Sequence, residues 1–197
     1  MMGTRLHPLT GYPFALEVQI EYALDENGLS VCTTATILSE SACPYGAGQH
    51  PYLSPGEALI DACTLELAAN TRIVTDAERQ LPIGREAVRD GQYDFSRPRV
   101  LGEQTIDYAF SDLARDEAGR AVCRLMAPDG ATAELWVEES YRFIELFTGD
   151  TLSPSRRRRG LAVEPMTCAP NAFQSGEGLI RLESGQTHTS RWGTRLI

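Results

Sequence analysis

The chain has 197 residues, 42% hydrophobic and 23% charged, the composition of an ordinary globular protein long enough to bury a sizeable core. Its formal charge of −9 argues against nucleic acid, because a phosphate backbone recruits basic surfaces. No apolar run approaches the roughly 20 residues of a membrane helix, and no basic stretch leads into an apolar one at the N-terminus, so a cytoplasmic protein without a membrane partner is expected.

Residues 1–13, with His7-Pro8 and Tyr12-Pro13, read as an irregular lead-in. Leu16, Val18, Ile20 and Tyr22 then alternate with Glu17, Gln19 and Glu21, the period of a half-buried strand. Asp25-Glu26-Asn27-Gly28 is a turn, and the β-branched run from Leu29 to Leu38 returns from it, giving a long antiparallel hairpin. Cys43 to His50 is a third extended piece, and Ala58–Leu67 and Thr71–Thr75 are further strands. Residues 76–106, rich in Pro, Gly and Arg, read as a long surface excursion. Asp107–Phe110 is extended, and Pro128-Asp129-Gly130 joins Ala121–Met126 to Ala131–Val137 as a hairpin. Strands at Phe143–Thr148 and Leu161–Pro165 flank a loop, and Thr187–Ile197 closes the chain. With no sustained helical period, the expectation is one all-β domain over residues 1–197, an antiparallel sandwich.

Five cysteines (Cys32, Cys43, Cys63, Cys123, Cys168) are odd in number and form no CxxC, which points to reduced thiols rather than a zinc site or a disulfide framework. All 18 basic residues are arginine. Four stand together as Arg156–Arg159, either a solvated loop on which single substitutions change little or a grip for phosphate. His188 lies in an alternating segment and is expected to face solvent.

The chemistry concentrates in two stretches. In Gly46-Ala47-Gly48-Gln49-His50-Pro51-Tyr52-Leu53, a histidine sits between backbone-permissive glycines and a proline. His50 is either a proton donor and acceptor near neutral pH or an inert strand-end residue. Tyr52 offers an aromatic face of the kind that packs on sugar rings. In Gly160-Leu161-Ala162-Val163-Glu164-Pro165, Glu164 ends an apolar run, where desolvation would raise its pKa toward that of a useful base; the alternative is an edge glutamate in water. Asp107 is either an acceptor for substrate hydroxyls or a turn residue. A catalytic pair requires His50 and Glu164 at one concave site, separated by room for a substrate.

Several stretches in one order resemble the aldose 1-epimerases: Gly48-Gln49-His50-Pro51-Tyr52-Leu53, Leu81-Pro82-Ile83-Gly84, Tyr93-Asp94-Phe95, Ile106-Asp107-Tyr108-Ala109-Phe110, Phe147-Thr148-Gly149-Asp150, Leu161–Thr167 and Ser190-Arg191-Trp192-Gly193. The resemblance implies a galactose mutarotase-like β-supersandwich and interconversion of the anomers of a hexose such as glucose or galactose. It implies His50 as the acid at the ring oxygen and Glu164 as the base at the anomeric hydroxyl. Asp107, Gln49 and Tyr52 are then substrate contacts, and no metal or organic cofactor is needed. The family's Asn-x-x-His-Gly stretch has no counterpart here, so the chain is expected to correspond to the C-terminal part of the family. Strands left uncovered could then be hidden by self-association. A non-catalytic sugar binder and an epimerase of hexose 6-phosphates are the alternatives.

Overall fold

The computed structural model describes residues 1–197. In chain order the strands are β1 (Met2–Leu6), β2 (Leu16–Asp25), β3 (Gly28–Ile37), β4 (Cys43–Tyr45), β5 (Tyr52–Leu53), β6 (Thr64–Leu67), β7 (Ala69–Thr75) and β8 (Pro82–Ala87). They continue as β9 (Phe95–Val100), β10 (Asp107–Leu113), β11 (Ala121–Met126), β12 (Thr132–Val137), β13 (Phe143–Phe147), β14 (Leu161–Met166), β15 (Ile180–Leu182) and β16 (Thr187–Leu196). One turn of 3-10 helix (Ile60–Ala62) and one four-residue helix, α1 (Ala172–Ser175), are the only helical pieces.

An eight-stranded sheet runs β1-β2-β3-β16-β12-β11-β6-β9, and a six-stranded sheet runs β5-β14-β13-β10-β7-β8. Every pairing is antiparallel, as expected for an antiparallel sandwich. The main core lies between the sheets: Val31, Leu65, Leu125, Leu135 and Trp192 on one side, Phe110, Ile144, Leu146, Leu161 and Val163 on the other. Each such side chain contributes about 1.5–3 kcal/mol by leaving water. Successive strand residues point to opposite faces. Tyr108 and Phe110 of β10, Ile144 and Leu146 of β13, and Leu161 and Val163 of β14 turn toward the core, which sends Asp107, Ala109, Phe143, Glu145, Phe147, Glu164 and Met166 to the outer face of the six-stranded sheet.

The expected hairpin forms from β2 and β3, with Asp25 paired to Gly28 and Tyr22 to Val31. The apolar stripe of β2 leaves the core along its length: Leu16 is buried, whereas Tyr22 and Leu24 are exposed. Four expectations are corrected. The lead-in holds β1, paired with β2 from Met2↔Ile20 to Leu6↔Leu16. The supposed excursion at 76–106 holds β8 and β9, the outermost strands of the two sheets. Pro82 begins β8, and Arg97, Pro98 and Arg99 line β9; edge strands tolerate these residues and use them to discourage further pairing. His188 does not face solvent freely. It is half-buried against Tyr45, with ring centroids 5.6 Å apart, and burial pushes its pKa down.

The fourth correction concerns the arginine run. Arg158 is buried. Its Nε donates to Asp61 at 2.6 Å, Nη1 donates to Asp150 at 3.0 Å, and Nη2 donates to the Gly102 carbonyl at 2.7 Å. A guanidinium so engaged is a structural tie, and none of those donors is free for phosphate. All five cysteines are free thiols, and no helix is long and apolar enough to cross a membrane.

Candidate active site

Residues 47–53 run antiparallel along β14. Ala47 N–H donates to the Thr167 hydroxyl, Thr167 N–H to the Ala47 carbonyl, Gln49 N–H to the Pro165 carbonyl and Val163 N–H to the Pro51 carbonyl. Pro51 lacks an N–H, and this outermost position requires none of it. Gly46 is needed for the close approach, because a Cβ there would lie 2.5 Å from Cys168 Sγ. Gly48 bridges Met166, and Tyr52 and Leu53 pair with Ala162 and Leu161. In that register His50 stands directly across from Glu164.

On its other side Glu164 pairs with Glu145 of β13, and Glu145 pairs with Ala109 of β10. One transverse row of the outer face thus reads His50, Glu164, Glu145, Ala109. The next row reads Tyr52, Ala162, Phe147, Asp107. Together they form an open cleft of about 330 Å³ lined by His50, Gln80, Asp107, Glu145, Phe147, Thr151 and Glu164.

His50 Nε2 lies 3.0 Å from Glu164 Oε1, and the His50 ring stacks on Tyr52 at 5.1 Å between centroids. The two groups therefore share one site but touch, where the sequence led us to expect a gap. Cross-strand registry places them opposite each other, and with no sugar present they are each other's best partner. Burial raises the Glu164 pKa; His50 pulls it down and Asp107 adds to the rise. Asp107 Oδ2 accepts a hydrogen bond from Gln80 Nε2 at 2.8 Å. Gln80 is held with φ at 54° in a turn whose backbone N–H groups, from Glu78, Arg79 and Leu81, all donate to Asp76. Tyr52 stands behind His50, with its pKa raised by burial and by the charges of Glu164 and Asp107. Gln49 contributes its backbone to the zipper, and its side chain does not line the cleft.

Of the lining residues that sequence reading missed, Gln80, Glu145, Phe147 and Thr151, the first two bear on the chemistry. Gln80 lies in the stretch taken for an excursion. Glu145 sits in a strand recognised from sequence, and the alternation Phe143-Ile144-Glu145-Leu146-Phe147 already put it on the face opposite Ile144 and Leu146. Along its strand Phe143 and Phe147 flank it, and Phe143 belongs to a small apolar cluster with Ile73, Ala109 and Ala169. Burial, reinforced by Glu164 and Asp107, pushes the Glu145 carboxyl up to about 7. A raised folded-state pKa means that stability is fully present below the unfolded value and is lost as pH rises through the folded one. The wild-type protein should therefore lose stability as pH rises from about 4.5 to about 7, and Glu145→Gln should remove that loss. Urea denaturation at about pH 8 should find the variant more stable by up to about 3 kcal/mol, with little difference at about pH 4. Equal pH dependence in both proteins would contradict the burial of this carboxyl.

A larger depression, about 620 Å³, lies on the outer face of the eight-stranded sheet. Its central charges are engaged: Arg124 pairs with Glu66 and Glu134, Arg195 pairs with Glu134, and Arg120 lies over the Trp136 ring. Its lining holds no histidine, whereas the smaller cleft sets His50 against Glu164, so the smaller cleft is the better site. No group of three or more His, Cys, Asp and Glu side chains is arranged to hold a metal ion.

The fold and the cleft define a β-sandwich of the galactose mutarotase-like kind. Its structural relatives include a galactose mutarotase-like protein of Clostridium acetobutylicum (TM-score 0.83, 14% identity, covering 99% of this chain and 61% of that one). Galactose 1-epimerase of Lactobacillus acidophilus NCFM is another (TM-score 0.77, 17% identity, 99% and 61%). Residues 3–194 match the aldose 1-epimerase family, and the chain belongs to it. The uncharacterized protein YihR of Escherichia coli K12 is 33% identical over 190 residues, 93% of this chain and 56% of YihR. The chain thus spans little more than half the length of that relative.

Proposed function

We propose that this chain carries the acid–base pair of an aldose 1-epimerase acting on a hexose such as glucose or galactose. The observation that carries the reading is the cross-strand pair His50–Glu164, with the carboxylate largely buried and the imidazole at the cleft mouth. Glu164 takes the proton from the anomeric hydroxyl. The electrons released form the C1=O1 double bond, the bond from C1 to the ring oxygen breaks, and the ring oxygen takes the proton of His50. Rotation about C1–C2 turns the other face of the aldehyde to the ring oxygen, and the reverse transfers close the ring as the opposite anomer. Both reacting oxygens are bonded to C1, so groups that rest in contact can each take one after a small separation. Asp107, fixed by Gln80, accepts from sugar hydroxyls, and Tyr52 backs His50. Raised basicity at Glu164 suits it to the transfer, since a base works best with a pKa near the working pH.

Polarimetry of freshly dissolved α-glucose and α-galactose tests this, with a buffer blank at matched pH because both sugars mutarotate unaided. A rate above the blank for at least one sugar is expected. The blank rate for both would leave a sugar-binding protein.

A further inference from the structure

We propose that Glu145 is a neutral carboxylic acid in the working site and donates a hydrogen bond to a hydroxyl oxygen of the sugar, the counterpart of the acceptor Asp107. The identity of the ligand, a pyranose, rests on the mutarotase reading.

The argument begins with charge. Three carboxylates, Asp107, Glu145 and Glu164, line one cleft, and the only basic side chain lining it is His50. His50 is in contact with Glu164, and Gln80 donates to Asp107. Glu145 has neither partner; the groups that act on its ionisation are burial and the two other carboxylates. Each packed element gives the same account. The segment before β5 supplies His50, β5 supplies Tyr52, β14 supplies Glu164, and β10 supplies Asp107 and Ala109. The β7–β8 turn supplies Gln80, and the loop after β13 supplies Thr151. Arg85 of β8, across β7 at Ile73, is paired with Glu177. A carboxylate between Phe143, Phe147 and Ala109 with no donor and two like charges keeps its proton, and a protonated carboxyl has an O–H to give.

A sugar hydroxyl both donates and accepts. A cleft with an ionised Asp107 and a neutral Glu145 can therefore satisfy both capacities. When Glu145 ionises, the donor disappears and an anion faces the hydroxyl oxygen instead, so binding weakens; the new charge also acts on Glu164 beside it, so the test reads binding rather than turnover.

The probes are the anhydro-alditols of glucose and galactose, which lack the anomeric hydroxyl and cannot be turned over, titrated calorimetrically into the full chain. The wild-type Kd should rise about tenfold between about pH 6 and about pH 8.5, the size of one lost hydrogen bond. Glu145→Gln keeps a donor that does not ionise, so it should bind equally at both pH values. Glu145→Ala should bind weakly at both. Carbon-13 spectra of labelled glutamate should show one carboxyl titrating near pH 7 that is missing from Glu145→Gln. A wild-type Kd independent of pH, absence of binding at either pH, or a pH dependence that survives in Glu145→Gln and so belongs to His50, would each overturn the proposal. Mutarotation at the blank rate, together with pH-dependent binding that Gln abolishes, would remove the epimerase reading and leave this one standing.

Discussion

Glu164→Gln should lower enzymatic mutarotation by about 10²–10⁴-fold, the usual contribution of a general acid or base, and so bring it to the buffer blank. The amide fills the same volume but cannot take the proton of the anomeric hydroxyl. The fold should be unchanged, because Glu164 is held by the backbone pairing of β14 with β13 and with residues 47–53, not by its carboxylate. Gln can still meet His50, so a cooperative urea transition near that of the wild type should accompany the loss of rate. A variant that keeps the wild-type rate would show that another group is the base, and Glu145 would be the next to test. Lowering the pH should reduce the wild-type rate as Glu164 is protonated. The onset should come at a higher pH than for an ordinary glutamate, because burial raises this pKa.

Much of this site could be read in the chain itself. Leu161-Ala162-Val163-Glu164 announces a strand buried on both sides that ends in a carboxylate, and Gly46 to Leu53 announces a histidine on a segment able to approach another closely. What the sequence could not provide was the register between segments more than a hundred residues apart. The sum of local preferences does not specify whether residue 50 meets 164 or a neighbour. A slip of one residue would have turned every side chain of the segment to the other face. The same limit hid the contact between the pair, since a separation suited to a substrate was inferred from chemistry alone.

Glu145 and the edge strands were missed for different reasons. Glu145 sits in an unmistakable strand, but its meaning depends on what lies across from it, and Glu164 and Ala109 are supplied by other strands. Strands β8 and β9 read as loop because edge strands bury little and carry the Pro, Gly and Arg that a loop would carry. With β8 unseen, the turn that orients Gln80 toward Asp107 was unseen as well.

Arg158→Ala should destabilise the protein by about 3–5 kcal/mol, the cost of removing one partner from a buried ion pair. A run of four arginines suggests solvent, but only one of them, at φ 54°, turns inward, and no pattern within the run distinguishes it from its neighbours. The guanidinium ties Asp150, Asp61 and the Gly102 carbonyl together, and its own carbonyl accepts from Ile60 N–H. Asp150 in turn accepts from the Thr148 hydroxyl, which also bonds the backbone of Ile106, next to Asp107. Burial pushes the Asp150 carboxyl up, but Thr148 and Arg158 outweigh it and hold it below the usual carboxylate range. Stability from that depressed pKa is present above the unfolded value and lost as pH falls through the folded one. The wild type should therefore weaken on acidification in a way that Arg158→Ala does not, since in the variant the unpaired Asp150 gains by taking up a proton. Urea transitions at about pH 7 and about pH 3, below the ordinary aspartate value, measure both effects, and the gap between the two proteins should narrow at the lower pH. Arg156→Ala, on the exposed side of the same run, should change the transition by less than about 0.5 kcal/mol. Equal stability of Arg158→Ala and Arg156→Ala would mean that the buried tie contributes nothing. A loss in Arg158→Ala that simple packing explained would appear unchanged at both pH values.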